Sequence, residues 1–415
     1  MKIAYVSQYF PPEIGAPSAR VHELARQWVR DGHEVTVLTA FAHHPTGVKT
    51  PEDRRALTRR ETVDGIDVVR TYVWASPNKG TVKRMVSYAS FMASAISIGP
   101  WRLGRPDVLV ATSPQLLCAV AGYALARALR VPFVFEVRDL WPESIMAVDA
   151  MGGDSVVVRQ LRRVADHLYR NADQVVTVGE GYRRRIHELY GLPLERMEVL
   201  HNGIDTSLFQ PGPRDNAVRR EHGWGDRFVA MYLGTHGMAH ALGKVLEVAE
   251  RLRHVEDLLF VFVGEGAEKD ALKARARELG LPNVQFIDQQ PKARVPEFYA
   301  ACDLGLVTLR DTPLFQEVLP SKIFEYLGMA RPVLISVAGE ARRLVEAAGG
   351  GEFVPPEDVT AMVDAIMRLR GDRARLVEMG ERGREYVVEH FDRRVLARRY
   401  AELLSDVAGC SRGRG

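Results

Sequence analysis

The stretch FVAMYLGTHGMAHALGKVLEVAERLRHVEDLLFVFVG, residues 228–264, decides the fold class of this chain. It begins with a run of apolar and β-branched residues at 228–234 and ends with another at 258–264. The segment between them has a helical pattern and is long enough for the crossover that joins two parallel strands. The stretch therefore predicts a strand–helix–strand unit of a parallel sheet.

The same alternation occupies the rest of the chain. Ahead of the stretch, short apolar runs are separated by helical patterns at 18–31, 115–129 and 155–171. These runs are 2–7, 34–39, 67–73, 107–113, 133–138 and 174–179. After the stretch the runs are 284–288, 304–309 and 332–337. The sequence thus predicts an α/β protein with two Rossmann-like domains in tandem.

The seam between the domains is expected in HNGIDTSLFQPGPRDN, residues 201–216, which has turn dipeptides and no strand or helix period. We place the first domain at 1–208 and the second at 209–390. A final helical pattern at 391–408 can pack back on either domain. Ligands of open parallel sheets bind at the carboxyl ends of the strands, so two facing domains predict a central cleft with one ligand on each wall.

Composition narrows the class of protein. The 415 residues are 46% hydrophobic and 26% charged, which is typical of a folded globular chain, and the net charge of +3 does not indicate a nucleic-acid binder. Three cysteines, at 118, 302 and 410, have no paired spacing, which favours a reducing compartment over a disulfide framework or a zinc site. The N-terminus runs directly into a strand pattern, and no apolar run is long enough to span a bilayer. We therefore expect a cytoplasmic protein.

The window FQEVLPSKIFEYLGMARPVLIS, residues 315–336, carries the clearest chemistry. The pattern favours a helix start with Ser321 as N-cap, and the backbone N–H groups of a helix start attract phosphate. Lys322 would add positive charge, while Glu325, one turn on, would accept hydrogen bonds from ribose hydroxyls. Glu317, ahead of the helix, would hold sugar hydroxyls. Spacing alone also fits an amphipathic helix with solvated Glu and Lys side chains.

The Glu-x7-Glu spacing followed by a strand resembles the donor-site signature of the retaining GT-B glycosyltransferases of family 4. The segment PSKIFEYL resembles the bacterial surface-polysaccharide branch of this family, which includes N-acetyl-fucosamine transferases. Further segments similar to the family lie in the same order along the chain: YFPPEIGAPSARVHEL (9–24), VRDLWPES (137–144), NADQVVTVGEG (171–181), LHNGIDTSLFQP (200–211), YLGTHGMAHAL (232–242) and FVGEGAEKDAL (262–272). The resemblance implies the GT-B fold, with an acceptor domain followed by a nucleotide-sugar donor domain.

The resemblance carries over to individual residues. Glu325 matches the ribose-binding carboxylate of the family, and Glu317 matches the carboxylate near the transferred sugar. Gly15 matches the glycine of a loop whose backbone approaches the donor phosphates, although alone it reads as a turn glycine. The segment expected over the nucleotide base is Gln289, Gln290 and Pro291. Leu319, inside the window, is also assigned to the nucleotide-sugar site.

The donor wall of the predicted cleft departs from the family pattern. Many members place Arg and Lys after the first strand of the second domain, where this chain has Thr235 and His240. We expect Lys322 and backbone N–H groups to meet the phosphate charge there, helped by His236 or His240. A buried structural role is the alternative for either histidine. The residues expected at this wall are Gly234, Thr235, His236, Gly237 and His240.

The remaining catalytic candidates follow the predicted strand 133–138. Arg138 and Asp139 stand where relatives often carry His-Asp, so the resemblance places them near the acceptor hydroxyl or the sugar. An ion pair that fixes the DLWPES turn is the alternative for Asp139. The predicted catalytic set is Glu317, Lys322, Arg138 and Asp139.

The sequence contains no Asp-x-Asp pair, so we expect neither a metal nor a cofactor. The resemblance implies a UDP-sugar donor, an N-acetylated hexosamine or deoxyhexosamine as the sugar, and a leaving phosphate that takes the acceptor proton. Two other functions use comparable architectures: a sugar-nucleotide epimerase or phosphorylase, and a noncatalytic sugar-binding hinge protein. The PSKIFEYL and NGID segments favour the transferase.

Residues 79–105 carry a candidate membrane contact. Lys79, Lys83 and Arg84 precede the apolar segment 85–98, and Trp101, Arg102 and Arg105 follow it. Met85, Tyr88, Met92 and Ile96 share one helical face, extended by Phe91, Ala95 and Ile98. An apolar helix with basic ends is typical of an interfacial anchor on an anionic leaflet, and a core helix is the alternative. Because related enzymes extend lipid-linked sugars, we predict a lipid-linked acceptor at the inner face of the cell membrane.

Overall fold

The structure is a computed structural model that describes residues 1–13, 15–43, 47–75, 81–113, 115–143, 156–313 and 315–412. The chain forms two compact units. The first comprises Met1–His201 together with the chain from Arg393 onward, and the second comprises Asn202–Asp392. Each unit is built on one sheet with helices connecting its strands, which confirms the two predicted Rossmann-like domains.

The first unit holds an eight-stranded sheet. Its strands are β1 Lys2–Val6, β2 Glu34–Ala40, β3 Thr58–Val63, β4 Ile66–Thr71, β5 Val108–Thr112, β6 Phe133–Val137, β7 Gln174–Thr177 and β8 Met197–Val199. They lie in the order β3-β4-β2-β1-β5-β6-β7-β8, and every neighbouring pair is parallel except β3 with β4. The described helices of this unit are α1 Ala16–Arg30, α2 Thr81–Arg102, α3 Leu116–Leu129, α4 Val156–Asn171 and α5 Glu180–Tyr190, besides the C-terminal helix given below.

The second unit holds a six-stranded, fully parallel sheet. Its strands are β9 Phe228–Leu233, β10 Leu258–Val263, β11 Val284–Ile287, β12 Leu304–Thr308, β13 Val333–Ser336 and β14 Gly351–Phe353, in the order β11-β10-β9-β12-β13-β14. Its described helices are α6 Ala217–Glu221, α7 Leu242–Arg251, α8 Lys269–Glu278, α9 Val295–Ala301, α10 Lys322–Gly328, α11 Glu340–Ala348, α12 Val359–Arg370 and α13 Arg373–Phe391. β10 is buried along its whole length, as expected of a strand covered on both faces.

The unit boundary lies a few residues before the predicted seam at 208/209. Ile204 forms a parallel β-bridge with Asp392, and its N–H donates to the Phe391 carbonyl. Thr206 donates its hydroxyl to Asp392 at 2.5 Å. These contacts bring residues 202–208 into the second unit.

The last helix, α14 Arg393–Arg412, packs in the first unit. Trp28 of α1 donates its indole N–H to the Ala397 carbonyl at 2.8 Å, and its ring meets Tyr400 edge-on at 5.4 Å. Trp28 and Tyr400 are fully buried. The helix therefore shares the core of the unit in which the chain begins.

Helix α2 buries part of the face that the sequence assigned to a membrane anchor. Tyr88, Phe91 and Ala95 are buried in the first unit, and a Cβ on Gly99 would lie 2.6 Å from Leu125 of α3. That face follows the core-helix alternative, because it covers the sheet and α3. The exposed stripe of α2 is instead formed by Lys83, Val86, Ala93, Ser97 and Trp101. Lys79 lies outside the described residues.

The described helices include none that combines the length and the apolar character needed to cross a bilayer.

Candidate functional site

Glycines line the carboxyl end of the second unit's sheet. Gly234 follows β9 with φ +148° and Gly264 follows β10 with φ +141°, both in a region that L side chains rarely adopt. A Cβ on Gly264 would lie 2.0 Å from the Gly234 carbonyl oxygen, and one on Gly266 would lie 2.3 Å from the His236 carbonyl oxygen. Only glycine allows these two loops to touch.

The loop after β9 has two backbone N–H groups that can donate to a ligand, those of Thr235 and Gly237. The Gly234 N–H donates to the Val263 carbonyl, and the His236 N–H donates to the Glu265 carbonyl. Thr235 and Gly237, which alternate with them, have N–H groups without a hydrogen-bond partner among the described residues. The neighbouring strand already accepts the Gly234 hydrogen bond, so the N–H groups of Thr235 and Gly237 remain available for a phosphate.

Lys322, the first residue of α10, reaches this loop. Its Nζ lies 3.7 Å from the centroid of the Tyr232 ring and would be 3.0 Å from a Cβ on Gly234. The Nζ atom is buried and has no hydrogen-bond partner in the described part of the chain. Burial lowers the pKa of Lys322 to about 7, although Glu325 favours the charged form.

The two histidines of the loop are neutral near pH 7. His236 is fully buried among Tyr232, Phe262 and Phe286, and neither ring nitrogen has a partner within the described residues. Burial, followed by the charge of Lys269, lowers the pKa of His236 to about 4. Burial, followed by the charge of Lys322, lowers the pKa of His240 to about 3. The two histidines therefore add no positive charge to this wall near pH 7, and the His236 ring is enclosed by aromatic side chains.

Glu325 lies one turn after Lys322 on α10. Its Oε2 accepts a 2.5 Å hydrogen bond from the hydroxyl of Tyr299, a fully buried residue of α9. Burial, followed by the charge of Glu325, raises the pKa of Tyr299 well above its usual value, so the phenol remains a donor. The pair fixes the direction of the carboxylate.

Glu317 ends a short 3-10 turn, Phe315–Glu317, ahead of α10. Gly339, with φ +74°, approaches this turn so closely that a Cβ would lie 1.9 Å from the Gln316 carbonyl oxygen. Leu319, between the turn and α10, packs against the core. Ser321 does not cap the helix through its side chain, because its backbone is already helical at φ −58° and ψ −27°.

A second pair of loops meets at Lys269, which sequence reasoning missed. The Lys269 Nζ bridges Glu265 at 2.5 Å and Asp288 at 2.6 Å, although the residue is only 5% exposed. It therefore joins the loop after β10 to the loop after β11. The latter loop contains the exposed Gln289 and Pro291, expected over a nucleotide base. The adjacent Gln290 amide donates to the Asp288 carbonyl at 3.0 Å.

In the first unit, Gly15 begins α1 with φ +153° and ψ +161° and is exposed. No side chain caps this helix start. The Arg138 guanidinium donates to the Pro17 carbonyl at 3.3 Å, so Arg138 lies beside the Gly15 turn. The structure thus brings together two candidates that lie far apart in the sequence.

Arg138 belongs to a buried charge network. Its Nε lies 4.0 Å from the fully buried Glu136, which also accepts hydrogen bonds from Arg20 and Tyr5. Burial lowers the pKa of Arg138 to about 10, while the charge of Glu136 opposes that shift. Burial alone would raise the pKa of Glu136, but the charges of Arg20 and Arg138 lower it overall.

Asp139 is half-buried beside Ser113. Its backbone N–H lies 3.3 Å from the Ser113 hydroxyl, which also accepts the Arg138 N–H at 2.9 Å. Ser113 thereby holds the turn that follows β6.

Across the ranges that the structure describes, no group of three or more His, Cys, Asp or Glu side chains is arranged to hold a metal ion.

Two family matches cover most of the chain. Residues 15–203 match the family described as "Glycosyl transferase 4-like domain", and residues 215–386 match "Glycosyl transferases group 1". The chain belongs to the family 4 glycosyltransferases. It is a glycosyltransferase whose two family segments correspond to the two parallel-sheet units.

This glycosyltransferase is similar in sequence to two bacterial proteins. It is 26% identical over 99% of its length to all of the putative colanic acid biosynthesis glycosyl transferase WcaI of Escherichia coli K12. It is 27% identical over 65% of its length to the probable glycosyltransferase WbjE of Pseudomonas aeruginosa, covering 68% of that protein.

The fold of this glycosyltransferase is similar to that of Anabaena HepE in complex with UDP-glucose. The TM-score is 0.73 over 98% of this chain and 100% of HepE, with 19% identity. This likeness supports the predicted GT-B fold.

Proposed function

We propose that the enzyme is a retaining, metal-independent glycosyltransferase that moves a sugar from a UDP-sugar to a hydroxyl of a lipid-linked saccharide in cell-surface polysaccharide synthesis. The sugar is an N-acetylated hexosamine or deoxyhexosamine. The observation that carries the donor assignment is the position of Lys322, with its buried Nζ against Gly234, on the same helix as Glu325. HepE, which has the same fold, binds UDP-glucose, and the name of WcaI refers to polysaccharide synthesis.

Each group in the second unit has a role in this proposal. The N–H groups of Thr235 and Gly237 and the Lys322 amine bind the diphosphate. The Glu325 carboxylate, oriented by Tyr299, accepts hydrogen bonds from the ribose hydroxyls. Glu317 holds hydroxyls of the transferred sugar, and the segment after Asp288 covers the base.

The reaction needs a leaving group that tolerates charge. The bond between the anomeric carbon and the phosphate oxygen breaks as the acceptor oxygen bonds to the same face of that carbon. The acceptor proton passes to the leaving diphosphate. Lys322 and the two backbone donors stabilise the charge that develops on the diphosphate, which is electrostatic catalysis without a metal.

The proposed acceptor lies at the inner face of the membrane. The residues of α2 that are exposed to reach that surface differ from the apolar face that the sequence predicted. The exposed stripe of α2 offers Lys83, Val86 and Trp101, and the nearby Trp74 is 40% exposed. The Trp74 backbone N–H donates to the Ser90 hydroxyl of α2 at 2.8 Å, which places Trp74 beside this helix. Basic and aromatic side chains on one surface favour contact with anionic lipid headgroups.

A donor screen tests the proposal. UDP-, GDP- and ADP-sugars are compared by thermal shift, because a ligand at 100 times its Kd stabilises a protein by about 2.7 kcal/mol. We expect UDP-sugars to raise the Tm of the wild type and of Lys244→Met, an exposed lysine paired with Glu247. Lys322→Met should show a smaller shift. If only GDP- or ADP-sugars raised the Tm, the proposed UDP-sugar donor would be wrong.

A further inference from the structure

The Tyr232 ring is the centre of a cluster of basic groups. The Lys322 Nζ lies over its face at 3.7 Å, and the rings of His240 and His236 lie 5.7 Å and 5.9 Å from it. The Tyr232 hydroxyl donates to the Thr235 carbonyl at 2.8 Å, which ties the ring to the loop that follows β9. The cluster thus joins α10 to that loop through one aromatic side chain.

The charged form of Lys322 lacks the partners that an ammonium group requires. An ammonium has three donors, yet the buried Nζ has no hydrogen-bond partner among the described residues. The face of an aromatic ring stabilises an ammonium by less than the free energy that burying the charge costs.

The groups that face Lys322 come from three elements. Tyr232 and Gly234 belong to β9 and its end, His236 and His240 to the following loop, and Glu325 to α10. Burial keeps both histidines neutral near pH 7. Glu325 favours the ammonium, but its Oε2 accepts the Tyr299 hydrogen bond.

We propose that Lys322 rests on the Tyr232 ring as a neutral amine and takes up one proton from solvent when the donor diphosphate binds beside it. This inference rests on the proposed function, because it requires a nucleotide-sugar donor at Lys322. The bound diphosphate supplies the negative charge and the acceptor oxygens that the ammonium lacks. Tyr232 is a positioning residue, since it acts by holding the amine.

Donor affinity should then depend on pH with a defined sign. The pKa of Lys322 is about 7 without donor and rises when the diphosphate binds, so binding is strongest at or below that pH. Above it, the Kd should increase about tenfold per pH unit until the pH reaches the pKa of the bound state.

Calorimetry of UDP-glucose binding, without acceptor, tests the inference. Its diphosphate is esterified at both ends and does not titrate between pH 5.5 and pH 8.5, so the diphosphate itself contributes nothing to proton uptake. Heats in buffers of different ionisation enthalpy give the number of protons bound. We expect about half a proton at pH 7, close to one at pH 8.5 and close to none at pH 5.5.

Four variants separate the roles of the two residues. Lys322→Arg, with a permanently charged guanidinium, should bind UDP-glucose without proton uptake, and Lys322→Met should bind more weakly, also without uptake. Tyr232→Phe keeps the ring and should keep the uptake. Tyr232→Leu removes the ring, admits water to the amine and should reduce the uptake at pH 8.5. Circular dichroism confirms that each variant is folded.

Different results would contradict proton uptake by Lys322 and donor binding itself. UDP-glucose binding without proton uptake at pH 8.5, or with uptake that persists in Lys322→Arg, would overturn this inference and leave the proposed function intact. If none of the UDP-, GDP- and ADP-sugars of the donor screen bound, the donor function itself would be overturned, and this inference with it.

Discussion

Tyr299 and Glu325 form a partly buried phenol–carboxylate pair, with 2.5 Å between the Tyr299 hydroxyl and the Glu325 Oε2. Tyr299 lies on α9 and Glu325 on α10, so the hydrogen bond joins two helices of the second unit. The Tyr299 ring also meets Tyr326 edge-on at 4.6 Å, which limits its movement. The carboxylate is therefore oriented before any ligand arrives.

The pair predicts that Tyr299→Phe weakens donor binding less than Glu325→Ala does. Tyr299→Phe removes one hydrogen bond and should weaken UDP-sugar binding about fivefold, a loss of roughly 1 kcal/mol. Glu325→Ala removes a charged acceptor and should cost about 1.5–3 kcal/mol. The double variant should bind like Glu325→Ala, because the tyrosine acts through the carboxylate. Calorimetric Kd values measure all three, with Tyr386→Phe as a control, and additive losses would show that Tyr299 acts independently.

The position of Lys269 predicts that its substitution raises the donor KM and leaves kcat nearly unchanged. Lys269→Met removes the bridge between Glu265 and Asp288, and the segment over the base should lose its fixed position. We expect the donor KM to rise about three- to tenfold and kcat to stay within about twofold, because the base lies away from the reacting bond. Steady-state kinetics provide both constants. An unchanged KM would remove Lys269 from the donor site.

The exposed stripe of α2 predicts lipid-dependent flotation. Binding to liposomes should require anionic lipid and weaken with salt. Each basic residue near such a surface contributes about 1 kcal/mol, so Lys83→Glu with Arg84→Glu should lower partitioning at least about tenfold. Trp101→Ala should also reduce it. Charge reversal at Arg163 and Arg185, which are exposed on α4 and α5, serves as the control. Equal flotation with neutral and anionic vesicles, or none with either, would favour a soluble acceptor.

Metal independence predicts full turnover in EDTA. Lys322 and the N–H groups of Thr235 and Gly237 stabilise the leaving diphosphate in this account. Initial rates with and without chelator should agree, and added Mg²⁺ or Mn²⁺ should change them little. An enzyme that EDTA inactivates and Mn²⁺ restores would contradict this part of the mechanism.

The sequence predicts most strands of both sheets, because parallel strands buried on both faces are nearly continuous apolar runs. β3 was missed because its two arginines and a glutamate hide the strand pattern. The Asp64-Gly65 turn that joins it to β4, with φ of +50° and +80°, was an available hairpin signal.

The candidate site was predictable in part. The spacing of Glu317, Lys322 and Glu325 indicates one segment of the candidate site, because these three residues lie within one local stretch. Tyr232 and Tyr299 were not predicted, since tertiary packing brings them to Lys322 and Glu325 from other elements. The sequence left open whether the apolar face of α2 is a membrane anchor or a core face, because periodicity shows an apolar stripe without showing what covers it.

The central claim, that Lys322 stabilises the leaving diphosphate of a nucleotide-sugar donor, is tested most directly by comparing kcat for Lys322→Met and Lys244→Met. The measurement is sugar transfer at saturating UDP-sugar and acceptor. Charge develops on the diphosphate only as the bond breaks, so Lys322→Met should lower kcat at least about a hundredfold, or roughly 2.7 kcal/mol. Lys244→Met should match the wild type. Wild-type kcat in Lys322→Met would contradict the account and place the donor site elsewhere.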